Sequence, residues 1–192
     1  MKVLPPESGQ SAIEEVRKAT ESWLKQVVIG LNLCPFAAAP TRRGAVHIAV
    51  SQAKTEAEIT DALLDEMIRL DETDPSELET TLLVLPNGLA EFDAYNQYLD
   101  IAEALLTQFD RDGIYQIASF HPDYCFAGTE PEDAENLTNR SPYPILHLIR
   151  EEQMEKVLRY YPDPEGIPER NIETVSSLSD EQKRKLFGYL FR

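Results

Sequence analysis

Thr80-Thr81-Leu82-Leu83-Val84-Leu85-Pro86-Asn87-Gly88 is the stretch that decides the fold class. It is a short, apolar, β-rich run closed by a turn triplet, as expected of a strand covered on both faces. Behind it Phe92, Tyr95, Leu99, Ala102, Leu106 and Phe109 recur at helical spacing until Asp112-Gly113. That is the stripe of a long amphipathic helix with its stop signal. Ile114 to Phe120 then reads as another strand.

Upstream, Val46, Ile48 and Val50 alternate with Ala45, His47 and Ala49, which predicts a strand. Thr55-Glu56-Ala57-Glu58 follows as a capping box, and Ile59, Leu63, Met67 and Leu70 continue a helical stripe. The unit is therefore β-α-β-α-β, for which a right-handed, parallel arrangement is expected. Pro144 to Ile149 predicts a fourth strand, expected antiparallel to the third, and Glu151 to Tyr160 a helix. At the amino end Ser11-Ala12-Ile13-Glu14 has capping-box form, so a helix is expected to start there. Its stripe of Ile13, Val16, Trp23, Val27 and Leu31 weakens at Gly30 and Asn32 and stops by Pro35. At the carboxyl end Ser179-Asp180-Glu181-Gln182 opens a last helix, after a Pro-rich connector from Pro162 to Pro168. No internal repeat or low-complexity tract appears. The expectation is one α/β domain over residues 1–192, with flanking N- and C-terminal helices and residues 1–10 as a flexible start.

The chain carries 34 acidic residues against 18 Lys and Arg, a net charge of −16. Such a field repels a phosphate backbone or an anionic lipid surface, so neither nucleic acid nor a membrane is an expected partner. No apolar stretch at the start resembles an export signal and no long uncharged apolar run occurs, so a cytoplasmic location is expected. In a reducing cytosol Cys34 and Cys125 are expected as free thiols.

His121 to Tyr143 shows no period, and loops of that length are uncommon unless they bind, cover or catalyse something. An antiparallel fourth strand brings Asn139-Arg140-Ser141 back beside His121. That gathers an imidazole, the Arg140 and Arg150 guanidiniums, the hydroxyls of Ser141 and Tyr143 and the Asn139 amide, a set suited to a small anionic ligand. The plain alternative is that each Arg pairs with surface carboxylates. Cys34 stands just past a helix end. It is either a small packed hydrophobe or a nucleophile, and the latter needs a base or cation such as His121 or Arg140 nearby. His121 and Cys125 stand four apart, but no paired short metal-ligand spacing exists, so no metal site is assigned. His47 and His147 lie within strands, where a satisfied sheet residue is the plainer reading. The phosphate-loop, dinucleotide, nucleophile-elbow and zincin motifs are all missing, so no cofactor follows from the sequence. No oligomeric state follows from it either.

Three blocks together carry a resemblance: Gly30-Leu31-Asn32-Leu33-Cys34-Pro35-Phe36; Phe120-His121-Pro122-Asp123-Tyr124 with Phe126-Ala127-Gly128; and Asn139-Arg140-Ser141-Pro142-Tyr143-Pro144 with His147 and Arg150. Over nearly its whole length the chain resembles the bacterial domain-of-unknown-function family numbered 1415. The resemblance implies one intact domain and supplies no reaction. The family pattern does not require cysteine at Cys125, which argues against a Cys34–Cys125 pair as the working chemistry. Within the matching blocks the candidate catalytic residues are Cys34 and His121, and the candidate binding residues are Asn32, Tyr124, Asn139, Arg140, Ser141, His147 and Arg150.

Three readings stay open. The first is an enzyme acting on a small anionic metabolite, with Cys34 as nucleophile or redox thiol, His121 as general acid/base and Arg140 as clamp. The second is a non-catalytic binding or interaction protein in which Cys34 packs. In the third, the loop residues are braces and turns alone.

Overall fold

The computed structural model describes residues 8–191. Helix α1 (Ser8–Trp23) passes without a break into a π-helical segment, Leu24–Ile29, and a short α2 (Ala38–Arg43) follows. The core alternates β1 (Val46–Val50), α3 (Glu56–Glu72), β2 (Thr80–Val84), α4 (Phe92–Gln108) and β3 (Tyr115–Phe120). After the long loop come β4 (Ile145–Arg150), α5 (Glu151–Leu158), α6 (Ile167–Ser176) and α7 (Asp180–Leu186).

The α/β class and the antiparallel fourth strand agree with the sequence reading, while the sheet order adds a correction. The strands lie in the order β1-β2-β4-β3. β1 and β2 pair in parallel, but β4 is inserted antiparallel between β2 and β3, so the third strand does not adjoin the second. β1, β2 and β3 still run the same way, which makes the sheet mixed. The insertion follows from the chain itself: β4 returns directly along β3 through the loop, and its apolar Ile145, Leu146 and Leu148 are fully buried, which suits an interior position.

Period-two alternation divides the sheet into two faces. Leu83, Leu85, Leu146 and Leu148 pack on Ile59, Leu63, Met67 and Leu70 of α3 and on Tyr95, Tyr98 and Ala102 of α4. On the opposite face Ile48, Leu82, Val84 and Ile145 meet Val16, Trp23, Val27 and Val28, with Val175 and Phe187 from the carboxyl-terminal helices. The Arg17 guanidinium donates to the Ile48 carbonyl and ties α1 to β1.

Two of the three capping boxes form as read. Thr55 accepts from Glu58 N while the Glu58 carboxylate accepts from Thr55 N at 3.0 Å, and Ser179 and Gln182 repeat the exchange. The third does not. The helix already begins at Ser8, so Ser11 lies inside it, and Glu14 turns to Arg17 and Lys18 instead. Residues 8–10, expected flexible, are helical, and the rest of that expected segment lies outside the described residues. Helices α2 and α6 were not read from the sequence: α2 is a single short turn region, and α6 begins inside the Pro-rich connector, with Pro168 in its first turn.

Candidate functional site

The long loop is organised by hydrogen bonds that use up most of its polar groups. Ser141 N donates to the His121 carbonyl at 3.4 Å and His121 N to the Asn139 carbonyl at 3.2 Å, so the loop closes over its own two ends. The His121 ring is fully buried against Phe92 and Tyr95. Asp123 N donates to its Nδ1 at 3.0 Å, so Nε2 carries the hydrogen and donates to the Leu89 carbonyl at 3.1 Å. Burial lowers the pKa of this ring, and the Leu89 carbonyl opposes the shift. Both nitrogens are engaged.

The candidate binding residues are held in the same way. Arg140 donates from Nε to the Tyr124 carbonyl at 3.2 Å and from a terminal nitrogen to the Pro131 carbonyl at 2.6 Å. Its own carbonyl accepts from Trp23 Nε1 and the Tyr189 hydroxyl. Asn139 Nδ2 donates to the Ser119 carbonyl, Ser141 Oγ donates to the Tyr143 carbonyl, and the Tyr124 hydroxyl meets Ser119 Oγ at 3.1 Å. Arg150 reaches away from the loop, donating to the carbonyls of Leu78, Leu70 and Thr73 and lying over the Tyr115 ring. The buried Asn136, not singled out from the sequence, centres the loop: its Oδ1 accepts from Phe126 N and Thr129 Oγ1, and its Nδ2 donates to the Glu130 carbonyl.

Cys34 lies elsewhere. Asn32, exposed and at a φ of 55°, turns the chain after the π-helical segment through the left-handed region that Asn tolerates. Asn171 Nδ2 donates to the Leu33 carbonyl and secures the same turn. Cys34 then helps to line a cavity of about 180 Å³ on the sheet face opposite α3 and α4. Trp23, Leu24, Val28, Phe36, Phe120, Met154 and Val157 supply much of its wall, and Leu82, Ala118 and His147 form part of its floor. His121 and Arg140 are not in the lining. Cys34 and Cys125 are both free.

The cavity lining holds a second titratable group in His147. Its partner Thr80 places Oγ1 2.7 Å from His147 Nε2 and 2.5 Å from the Leu148 carbonyl. A hydroxyl has one hydrogen and the carbonyl can only accept, so that hydrogen goes to Leu148 and Nε2–H of the imidazole must donate to Thr80. The remaining nitrogen, Nδ1, is left with its lone pair and has no protein partner among the described residues. The ring keeps some exposed surface and belongs to the cavity lining, and burial pushes its pKa down to about 4. His147 is thus a neutral imidazole at ordinary pH. Burial raises the Cys34 thiol, with the Phe36 and Ala37 amides pulling the other way.

The titratable groups of the lining are Cys34, Glu79, His147 and Arg150. Glu79 is paired with Arg43, and Arg150 is spent on its three carbonyls. Thr80, Trp23 and Ala118 were not marked as site residues by the sequence. Their one signal is alternation, which puts Thr80 and Leu82 on one face of β2. Among the described residues no group of three or more His, Cys, Asp or Glu side chains gathers as a metal centre would. None of their helices is long and apolar enough to cross a membrane.

Fold and cavity together define an α/β protein with a mixed four-stranded sheet and a mainly apolar cavity whose lining includes one cysteine and one neutral histidine. The chain belongs to the family described as proteins of unknown function, DUF1415, whose profile matches residues 15–185. No curated protein and no solved structure matches it.

Proposed function

We propose that this protein binds a small, predominantly apolar, uncharged molecule in the cavity between the sheet, the π-helical segment and α5. The observation that carries this reading is the lining: an apolar chamber with Cys34 and His147 in its wall and its charged groups, Glu79 and Arg150, already paired. A cavity of about 150 Å³ holds a benzene-sized ligand, so a molecule of one or two rings fits the 180 Å³ found here. The acceptor lone pair of His147 would then select for one hydrogen-bond donor on an otherwise apolar ligand.

The reading from the sequence, an enzyme acting on a small anionic metabolite, would need a free guanidinium beside the thiol. Arg140 and Arg150 both donate to backbone carbonyls, which favours the uncharged ligand.

Indole and benzoate, titrated separately and followed by backbone amide shifts in β4 and α5, test the choice. Indole is expected to saturate and benzoate to bind at least about tenfold more weakly. Ala118→Leu, which fills the floor from an edge strand, is expected to abolish indole binding. The reading fails if indole does not saturate, if benzoate binds more tightly, or if Ala118→Leu binds indole unchanged.

A further inference from the structure

We infer that the cavity's ligand class is an uncharged conjugated carbonyl compound, to which Cys34 adds with His147 Nδ1 as its base. The inference rests on the binding reading above and adds a chemistry to it. Two groups carry it, because thiol and imidazole line one chamber. The orientation of the imidazole is fixed by a chain of hydrogen bonds that ends on a main-chain carbonyl. With Nε2–H committed to Thr80, only Nδ1 is free, and its lone pair has no other partner among the described residues. With its lowered pKa the ring is a weak base, so it takes the thiol proton only in concert with bond formation at the ligand.

The groups facing this pair are few. The end of α1 and the π-helical segment contribute Trp23, Leu24 and Val28, α2 and its approach contribute Phe36, Ala37, Pro40 and Thr41, and α5 contributes Gln153, Met154 and Val157. None of these is charged. Glu79 ahead of β2 and Arg150 at the end of β4 are the only charged lining residues, and each is held by another partner. No carboxylate is therefore free to draw a proton onto the imidazole, in keeping with its low pKa. Cys34 and His147 form no hydrogen bond with each other, so the proton does not pass directly between them in the resting protein.

The step balances without a co-reactant. The thiol proton moves to His147 Nδ1 while the sulfur pair forms a bond to the β-carbon, and the C=C π pair shifts onto the carbonyl oxygen as an enolate. Nδ1–H then returns its proton to the α-carbon. The net change is addition of S–H across the double bond. No leaving group departs and no water is consumed, which suits an apolar chamber better than acyl transfer.

The test uses the full chain carrying Cys125→Ser, so that Cys34 is the one thiol, and N-ethylmaleimide as the uncharged conjugated carbonyl. Adduct formation is followed by mass spectrometry across a pH series. A solvent thiol reacts through its thiolate, with a rate that rises about tenfold per pH unit below its pKa. Base-assisted Cys34 is expected to react at a nearly constant rate from about pH 5.5 to 8, because a neutral imidazole is present throughout. His147→Gln is expected to restore the tenfold slope and to lower the rate at about pH 6 roughly a hundredfold. Thr80→Val keeps the ring but frees its orientation, and is expected to lower that rate several-fold. A tenfold slope in the parent, or unchanged rates in both variants, overturns the inference. Indole binding in the same samples separates the cases: if it persists, the binding site stands without the chemistry, and if both fail, both readings fall.

Discussion

Thr80 and His147 meet diagonally across the β2–β4 pair, hydroxyl to imidazole at 2.7 Å, although 67 positions separate them. The contact fixes which ring nitrogen carries the hydrogen, and so what the cavity presents to a ligand. Thr80→Val removes it together with the bond to Leu148. A loss of about 1–3 kcal/mol is expected, with Thr80→Ser retaining most of the parent stability. Urea midpoints of the three proteins check this.

The His147 ring also makes stability depend on pH. Its pKa is lowered in the fold to about 4, whereas an unfolded chain takes up the proton near about 6.5. The unfolded state therefore binds more protons between those values, and stability falls as pH drops through the window. Above it the contribution is fully present. The loss approaches about 3 kcal/mol at the acid end, and His121, also lowered, adds slope of the same sign. Chemical denaturation at stepped pH should show a shallower acid slope for His147→Gln than for the parent.

Asn136 is expected to be the least replaceable residue of the long loop. Asn136→Ala leaves Phe126 N without its partner and takes one of two partners from Thr129 Oγ1, which keeps the Phe126 carbonyl, and from the Glu130 carbonyl, which keeps Asp133 N. The expected cost is about 2–3 kcal/mol, accompanied by faster amide hydrogen exchange confined to the segment from His121 to Tyr143. Uniformly faster exchange across the sheet would refute a local role.

Arg150 joins the end of β4 to the last turn of α3 and the loop after it through three carbonyls. Lysine keeps the charge but lacks the planar fork, so Arg150→Lys is expected to lose about 1–3 kcal/mol. A Lys variant with parent-like melting would show that charge alone suffices there.

Tyr95 sends its hydroxyl between β3 and β4, donating to the Ile145 carbonyl at 2.7 Å and accepting from Phe120 N at 2.9 Å. Tyr95→Phe preserves the packing and removes both bonds. About 1–3 kcal/mol is expected to go with them, read as a lower urea midpoint with an unchanged slope.

Much of this architecture is local and therefore legible in the sequence. The capping boxes at Thr55 and Ser179 operate over three residues, and the stripes of α3 and α4 repeat within one element. Ser11 misled because the same pattern also occurs inside a helix that continues past it. The place of β4 between β2 and β3 was not legible, since alternation states that a strand exists and not which edge it joins. The loop blocks were also legible as segments, and their ends do meet. What the ring of His121 does was not, because its partner Leu89 lies 32 positions away. The pairing of Cys34 with His147 around one cavity was hidden for the same reason: residues from Trp23 to Val157 build it, and no spacing connects them.

The π-helical turn from Leu24 to Ile29 gives the molecule a point of phase control. Such a turn holds one residue more than an α-helical frame needs, so it acts as a stored insertion that rotates everything downstream. Removing one of the two exposed residues Lys25 and Gln26 would let the helix wind evenly and swing the following segment by about 100°. The thiol would leave the sheet while every side chain of the cavity kept its identity. What places Cys34 is thus a count of residues along a helix, and a gap of one there would take the thiol from the cavity as surely as replacing the cysteine.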